Sequence, residues 1–366
     1  MSIKVLVITN NHTIPVIRSE AEIFIGLKVQ DGFDVTIMTF AHTQYIPRFE
    51  QMGIKVIKFH PHKKFSLGHI KRIRQELKMG HYDIVHMFNN KAMINGLFAA
   101  MFLPVKTVIY RGTIGNVHWW DPFAYLKHLS PRVDKIVCNV DEIKTSIQKN
   151  LLFNKSKVVT IAKGHKVEWY DDVEAVDLKA YGVPDNAFKV ICVANVRKVK
   201  GIKYLLQATH YLKESSNIYL ILVGNGMDKP DLMEIVEKSP IKANIKILGF
   251  QNNPLSFVKA CDSFMLPSIY GESLTRSVIE AMCLEVAPVI TNLPGNSRLV
   301  IHEKTGLTMP IKDPESIAKA LERLSNDRSF AKMLGKNARI HIKNNIRNED
   351  SVNAYYELYT SMTKPD

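Results

Sequence analysis

The sequence predicts an α/β protein built from two doubly wound, parallel-sheet domains, and three observations carry that prediction. Short apolar runs alternate with amphipathic stretches from the N-terminus onward. The alternation lapses once, in an acidic segment near the middle, and then restarts. The length of 366 residues suits two domains at roughly 100–200 residues each. Strand–helix alternation is the pattern of a parallel sheet covered on both faces.

The elements follow in order. Apolar runs at 5–9, 35–39, 56–59, 84–87, 107–110 and 135–140 read as strands, with a last one at 158–161. Helical patterns lie between several of them, at 17–29, 67–78 and 92–102, and another at 141–149 follows the sixth strand. The stretch 163–186 is polar and acidic, with Glu168, Asp171, Asp172, Glu174 and Asp177, and ends in Gly182 and Pro184. It reads as an interdomain connection. Strands resume at 189–193, 218–223, 245–248, 263–267 and 287–291, with helices at 202–212, 231–237, 253–260 and 278–284. Helices at 315–324 and 330–344 follow. A last helix, about 350–362, puts Tyr355, Leu358 and Tyr359 on one face. The expected division is an N-terminal domain over 1–165 and a C-terminal domain over 166–349, with the final segment 350–366 packing back on the first. Ligands of such sheets bind at the carboxyl ends of the strands.

Composition narrows the class. With 46% hydrophobic and 23% charged residues, the chain is globular rather than disordered, and 18 glycines and 16 prolines exclude fibrous and low-complexity classes. Lys and Arg number 49 against 35 Asp and Glu, a net of +14. That excess suggests an anionic partner: nucleic acid, anionic lipid or a phosphorylated substrate; a protein that is simply basic is the plainer reading. Cys138, Cys192, Cys261 and Cys283 form no CxxC pair and lie in or beside apolar runs, as reduced core residues in a reducing compartment do. The apolar run after Lys4 is too short for a signal segment, and the longest, 96–105, contains Pro104 and falls short of a membrane span. The expected location is cytoplasmic, or on a membrane surface without crossing it.

The most informative segment is Pro267-Ser-Ile-Tyr-Gly-Glu-Ser-Leu-Thr-Arg-Ser-Val-Ile-Glu-Ala-Met282. A buried strand ends at Pro267, a loop with Gly271 follows, and a helix is expected from about Leu274. Glu272 then stands just before the helix and Glu280 about two turns inside it, ~12 Å further along the axis. The two cannot share one proton. They can hold the ends of an elongated ligand, with the free N–H groups and positive dipole end of the helix between them as a phosphate site. Such a layout suits a nucleotide diphosphate sugar. Spacing alone slightly favours the plainer alternative, Glu272 as a helix cap and Glu280 as decoration. A second constellation, Asn195-Val-Arg-Lys-Val-Lys-Gly201, puts Arg197, Lys198 and Lys200 between a strand and a helix, where basic groups can neutralise a diphosphate leaving group or form a solvated loop. Gly224-Asn-Gly226 and Leu248-Gly-Phe-Gln251 place glycines at strand ends, where a ligand can approach the backbone.

In this order the segments resemble the nucleotide-binding half of the family 4 retaining glycosyltransferases of the GT-B fold, in which two Rossmann-like doubly wound domains face across a cleft. The resemblance covers most of the chain and is clearest over 190–322. Glu272 and Glu280 match the family's Glu-x7-Glu motif, with Pro267-Ser268 before it and Glu280-Ala281-Met282 at its end. Gly224-Asn-Gly226, Leu248-Gly-Phe250, Asp262-Ser-Phe-Met-Leu-Pro-Ser268 and Thr305-Gly-Leu307 also match in order. The resemblance implies that Glu272 contacts donor-sugar hydroxyls, Glu280 the ribose, N–H groups near Leu274 and Thr275 the diphosphate, and the Gly249–Phe250 loop the base. Gly224 belongs to the same donor set. It implies that Lys200 is the phosphate-binding lysine. The leaving phosphate is thought to act as base in such enzymes, so the protein supplies positioning and charge stabilisation.

Four departures bear on the sugar and the acceptor. The family's usual arginine falls on Asn195, with Arg197 the substitute. A glycine-rich loop after the first strand is replaced by Asn10-Asn-His-Thr-Ile-Pro15. A histidine after the fifth strand is replaced by Arg111, and an acidic residue by Arg298. His12, Arg111 and His118 are the acceptor-side candidates. His118 lies in the aromatic segment Asn116-Val-His-Trp-Trp-Asp121, where Trp119 and Trp120 can stack on sugar or pack in a core. His86 ends a strand and reads as a structural hydrogen-bonding or a catalytic residue. No Asp-x-Asp occurs, and the histidines and cysteines lack ligand spacing; no catalytic metal and no cofactor beyond the nucleotide sugar is expected.

The charge is divided unequally. Residues 1–165 hold 23 Lys/Arg and 11 Asp/Glu, net +12; residues 166–366 hold 26 and 24, net +2. Part of the excess lies in the helical pattern at 67–78, where Ile70, Ile73 and Leu77 form a stripe flanked by Lys71, Arg72, Arg74 and Lys78. A basic amphipathic helix can rest on an anionic membrane or simply pack its stripe on the sheet. The sequence thus points to a glycosyltransferase acting on a lipid-linked saccharide or glycolipid in cell-envelope polysaccharide or lipopolysaccharide synthesis, on the inner face of the cytoplasmic membrane. A nucleotide-sugar epimerase of the same fold is the alternative. A nucleic-acid-binding module lacks the expected aromatic–basic motifs, and no nucleic-acid partner is expected.

Overall fold

The computed structural model describes the chain apart from Met1, Asn11, His12, Asn116, Ser297, Pro365, Asp366 and the side chain of Pro15. The chain forms two compact units, Met1–His165 with Arg347–Asp366, and Lys166–Ile346.

In the first unit, β1 (Ile3–Ile8), β2 (Phe33–Thr39), β3 (Lys55–Lys58), β4 (Ile84–Met87), β5 (Lys106–Arg111), β6 (Lys135–Cys138) and β7 (Val158–Thr160) pair in the order β3-β2-β1-β4-β5-β6-β7, every pairing parallel. Val5 to Ile8 have no exposed surface; a central parallel strand is covered on both faces, so its sequence is a continuous apolar run. The helices are α1 (Ile14–Val29), α2 (Ile46–Gln51), α3 (Leu67–Gly80), α4 (Asn90–Ala99) and α5 (Asp141–Asn150). The stripe of α3 is spent on packing: Ile73 and Leu77 are buried against the unit, and Ile70 is half-buried. Arg74 donates to the carbonyls of Ala99 (2.8 Å) and Met101 (2.6 Å), filling acceptors that the end of α4 leaves open.

In the second unit, β8 (Phe188–Val193), β9 (Ile218–Val223), β10 (Ile245–Gly249), β11 (Ser263–Leu266), β12 (Ala287–Thr291) and β13 (Leu307–Met309) pair as β10-β9-β8-β11-β12-β13, again all parallel. Helices α6 (Ile202–Ala208), α7 (Pro230–Glu237), α8 (Pro254–Lys259), α9 (Arg276–Cys283), α10 (Pro314–Asn326) and α11 (Arg328–Asn345) cover it, with apolar clusters on both faces. α12 (Asn348–Thr363) returns to the first unit, where Tyr355 and Tyr359 are buried in its core.

Two expectations are corrected. The stretch 166–186 is not a free connection: it holds two 3-10 helices, and Val167, Tyr170, Leu178 and Val183 are buried in the second unit's core. Their apolar surface outweighs the acidic residues between them. The helix expected from Leu274 starts at Arg276, so Glu280 lies just over one turn inside it. α2, with only Ile46 and Phe49 buried, and the three-residue β13 are too short for periodicity to reveal. All four cysteines are buried and unpaired, and burial pushes the Cys138 and Cys192 thiols up to about 12.

Candidate active site

β8 and β11 are neighbours in the second sheet although β9 and β10 separate them in sequence. The chain therefore leaves them toward opposite faces, and a crevice opens at their carboxyl ends. The loops there are knitted backbone to backbone. Gly201 has φ +63°, and a Cβ on it would sit 2.0 Å from the Pro267 carbonyl oxygen, so only glycine lets the loops after β8 and β11 meet. Ile269 N donates to Val199 O at 2.8 Å. Gly224, at φ +136°, has the Ala194 carbonyl oxygen 2.0 Å from its Cβ position and donates its N–H to Gly249 O at 2.7 Å. Asn195 Oδ1 accepts from the Asn225 N–H at 3.0 Å, tying the loop after β8 to that after β9.

Lys200 and Glu272 meet on this frame. Lys200 Nζ lies 2.7 Å from Glu272 Oε1, with side-chain exposures of 12% and 10%. The same carboxylate accepts from Ser268 Oγ at 2.6 Å and Thr275 Oγ1 at 2.9 Å. Burial works to raise the Glu272 pKa, but the Lys200 charge and hydrogen bonds from Lys200, Ser268 and Thr275 outweigh it, and the carboxyl is held below its ordinary value. Ser268 is fixed in turn: its carbonyl accepts from Thr291 Oγ1 at 2.5 Å, and Thr291 O accepts from Asn296 Nδ2 at 2.9 Å. Glu272 therefore uses side-chain partners, and the Thr275 hydroxyl at the start of α9 turns to Glu272 rather than to the helix backbone.

Glu280 is buried on α9, with Arg276 Nε at 3.4 Å from its Oε1. Leu274 is half-buried, and Thr275 O accepts from the N–H groups of Val278 and Ile279, both at 3.1 Å. Arg197 is exposed and opens the 3-10 turn Lys198–Lys200. Gly249 has open space at its Cβ position, and Phe250 beside it is exposed. The structure thus gathers Lys200, Glu272, Thr275 and Gly201 directly, with Gly224 and Gly249 joined on the neighbouring loops. The supporting side chains Asn195, Ser268, Thr291 and Asn296 had no signal as positioning groups, because nothing in their local spacing shows whom they reach.

The remaining candidates lie in the first unit. Arg111 ends β5 and is half-buried, donating to the carbonyls of Thr113 (2.9 Å) and Gly115; burial lowers its guanidinium below the ordinary range. His128 nearby is pushed down to about 3, chiefly by burial and then by Arg111 and Lys127. His118 stacks on Trp120 with centroids 5.0 Å apart. Trp119 and Trp120 are 58% and 66% exposed, which removes the core reading. His12 lies outside the described residues. His86 is fully buried and its Nδ1 pairs with Tyr359 Oη at 2.7 Å, a structural contact to α12. Sequence reasoning missed the pair Lys163–Glu20 at 2.6 Å. It sits at the carboxyl edge of the first sheet, where Thr9 Oγ1 also donates to Glu20 at 2.5 Å and Lys163 Nζ lies 4.0 Å from the Tyr110 ring centroid. Among the described residues no group of three or more His, Cys, Asp or Glu is placed to hold a metal ion.

Two family models match the chain: "Glycosyl transferases group 1" over residues 174–341 and "Glycosyltransferase Family 4" over residues 29–169. An Escherichia coli UDP-Gal:alpha-D-GlcNAc-diphosphoundecaprenol alpha-1,3-galactosyltransferase is 27% identical over 305 residues, covering 78% of this chain and 77% of its own. A lipopolysaccharide core biosynthesis glycosyltransferase of Rhizobium meliloti is 24% identical, covering 72% and 73%. Among solved structures, a glycosyltransferase from Rickettsia africae superposes with a TM-score of 0.82 at 19% identity, covering 100% of both chains. Anabaena HepE in complex with UDP superposes with a TM-score of 0.76 at 19% identity, covering 99% and 100%. Fold and family matches together define a glycosyltransferase of the GT-B fold. The chain belongs to the group 1 glycosyltransferases, family 4.

Proposed function

We propose that the protein is a metal-independent, retaining enzyme that moves a hexose-type sugar from a nucleotide diphosphate sugar to a lipid-linked saccharide or glycolipid. The setting is cell-envelope polysaccharide or lipopolysaccharide synthesis at the cytoplasmic face of the membrane. The observation that carries the reading is the Lys200–Glu272 pair at the carboxyl ends of β8 and β11. It puts a positive and a negative side chain beside the start of α9, where a diphosphate and sugar hydroxyls both find partners. In this reading Lys200 and Arg197 take the diphosphate charge, with N–H groups near Leu274 and Thr275, and Glu272 holds the donor sugar. Glu280 takes the ribose, while the loops at Gly224, Gly249 and Phe250 face the nucleotide. The acceptor-side residues are Arg111, His118 and His12. Two relatives support the setting, since one is named for a diphosphoundecaprenol-linked acceptor and another for lipopolysaccharide core synthesis.

Calorimetric titration with a panel of uridine and guanosine diphosphate sugars tests the donor site. One or more should bind, and Lys200→Ala and Glu280→Ala should each weaken binding at least tenfold. Unchanged binding in both variants refutes the assignment. The anomeric configuration of the product, read by NMR, tests retention.

A further inference from the structure

The connection from β5 to β6 spans residues 112–134, and among its described residues the one helical element is the 3-10 helix Pro122–Leu126. A doubly wound sheet ordinarily carries a full helix there. The short element leaves the flank of α4 uncovered, and a cavity of about 380 Å³ opens between Phe98, Met101 and Phe102 on one side and Tyr125 and Leu126 on the other. Phe102 has φ +60°, a backbone region costly for a bulky residue, and is 92% exposed. Phe123 is 70% exposed. Phe65 extends the patch, its ring edge-on to Phe98 at 5.4 Å, and Tyr125 Oη donates to Trp119 O at 2.8 Å, joining the exposed Trp119–Trp120 pair. A contiguous apolar patch of this kind marks an interaction surface.

Its border is cationic. Lys63 and Lys64 precede Phe65 and are exposed, and their carbonyls are anchored by the buried Asn95 amide at 3.0 and 3.1 Å. Lys127 follows Leu126. Its ammonium is lowered first by burial and then by Arg111; Asp121 opposes this and Lys64 adds to it, which places these cations near one another. Asp121 is engaged at the Phe123 N–H (2.9 Å), and Asp134 at Arg132 (3.0 Å). Among the described residues Lys63, Lys64 and Lys127 form no ion pair, Asp121 acting on Lys127 only at longer range, and residues 1–165 carry the +12 excess.

We propose that this face, Phe65, Phe98, Met101, Phe102, Phe123 and Leu126 ringed by Lys63, Lys64 and Lys127, seats on an anionic lipid bilayer. The aromatic and aliphatic groups enter the headgroup–acyl boundary, and the lysines meet lipid phosphates. The contact is thus made by the segment before α3, the end of α4 with the turn after it, and the 3-10 helix, not by the stripe of α3, which is spent on packing. The inference deepens the lipid-linked acceptor reading and rests on it for its purpose, but its test does not use activity.

The test is co-sedimentation of the full chain with vesicles of phosphatidylglycerol and phosphatidylcholine, or of phosphatidylcholine alone, in about 0.1 M salt. The wild type should partition at least tenfold more strongly onto anionic vesicles and lose that preference in high salt. Phe102→Ser/Phe123→Ser and Lys63→Ser/Lys64→Ser/Lys127→Ser should each lose at least tenfold with unchanged melting temperature. Brominated lipid should quench fluorescence in a Trp169→Phe background, where Trp119 and Trp120 remain. Absent wild-type binding, equal binding to neutral vesicles, or variants that bind like wild type overturns the proposal. A dimer in gel filtration that Phe102→Ser/Phe123→Ser dissolves does so too, in favour of a second copy of the chain. Nucleotide-sugar titration is independent of all these outcomes, so failure of the donor site and failure of this surface are distinguishable.

Discussion

Replacing Lys200 by Met tests the physical core of the site. In the wild type the Glu272 carboxylate is buried, 10% exposed, and faces Lys200 at 2.7 Å. Removing one partner of a buried pair costs about 3–5 kcal/mol, because the other charge is left desolvated. The hydroxyls of Ser268 and Thr275 remain on Glu272, so a loss of about 3 kcal/mol is expected at pH 7. With a urea slope of about 2–3 kcal/mol per molar, the unfolding midpoint of the second unit drops by roughly 1 M. The loss must also depend on pH, with a definite sign. In the wild type the folded pKa of Glu272 is depressed, so its contribution is present above the ordinary value of about 4.3 and is lost as pH falls through the folded pKa. In Lys200→Met burial is no longer opposed by a cation and the folded pKa moves upward, so acid relieves the variant. The difference between the proteins is therefore largest near pH 7 and shrinks toward pH 4. Urea titration read by Trp169, which lies in the second unit, checks both parts in a background with Trp119 and Trp120 changed to Phe. A difference of equal size at pH 7 and pH 4, or none at pH 7, refutes the argument that an ion pair of buried groups holds the site.

Gly201→Ala should destabilise the second unit by about 3 kcal/mol, from the left-handed backbone and the clash with Pro267 O. Gly271→Ala, at φ +74° with only Val199 Cγ2 at 3.7 Å, should cost about 1 kcal/mol; equal urea midpoints for the two variants would contradict the close-approach argument. Tyr359→Phe removes the partner of His86 Nδ1 and should cost about 1–3 kcal/mol in thermal unfolding, with no effect expected if His86 were solvated. His60 and His128 are pushed down to about 4 and about 3, first by burial. The unfolded chain therefore binds more protons below pH 6.5, and stability falls with acid by up to about 1.4 kcal/mol per pH unit for each. His128→Gln should flatten that slope, and an unchanged slope would refute the buried neutral state.

The order of elements was legible because each central strand is a continuous apolar run, and strands 84–87, 218–223 and 287–291 agree with the structure end to end. Boundaries slipped where packing overrides local pattern. The acidic residues of 166–186 hid Val167, Tyr170, Leu178 and Val183, whose contribution comes from distant partners. The site was legible at Glu272, Lys200 and the glycines, since charge beside a strand end and glycine at a turn are local signals. Ser268, Thr291, Asn296 and the Lys163–Glu20 pair were not, because each acts through a partner brought close only by the fold; Glu20 and Lys163 stand 143 positions apart. The stripe of α3 left two readings open for the same reason: amphipathicity is alike whether a helix packs on a sheet or on a bilayer, and the buried Ile73 and Leu77 assign it to packing.

The hydrogen bonding of Glu272 also limits what chemistry it can perform. A carboxyl with a depressed pKa is ionised at neutral pH, so it has no proton to give and cannot serve as a general acid. One oxygen takes both Lys200 and Ser268 and the other takes Thr275; these bonds stabilise its charge and blunt it as a nucleophile. What remains is a fixed negative acceptor able to take a further hydroxyl hydrogen bond, beside an ammonium that an arriving diphosphate must share. Such a pair is suited to orienting a polyhydroxylated donor and compensating charge as a phosphate leaves.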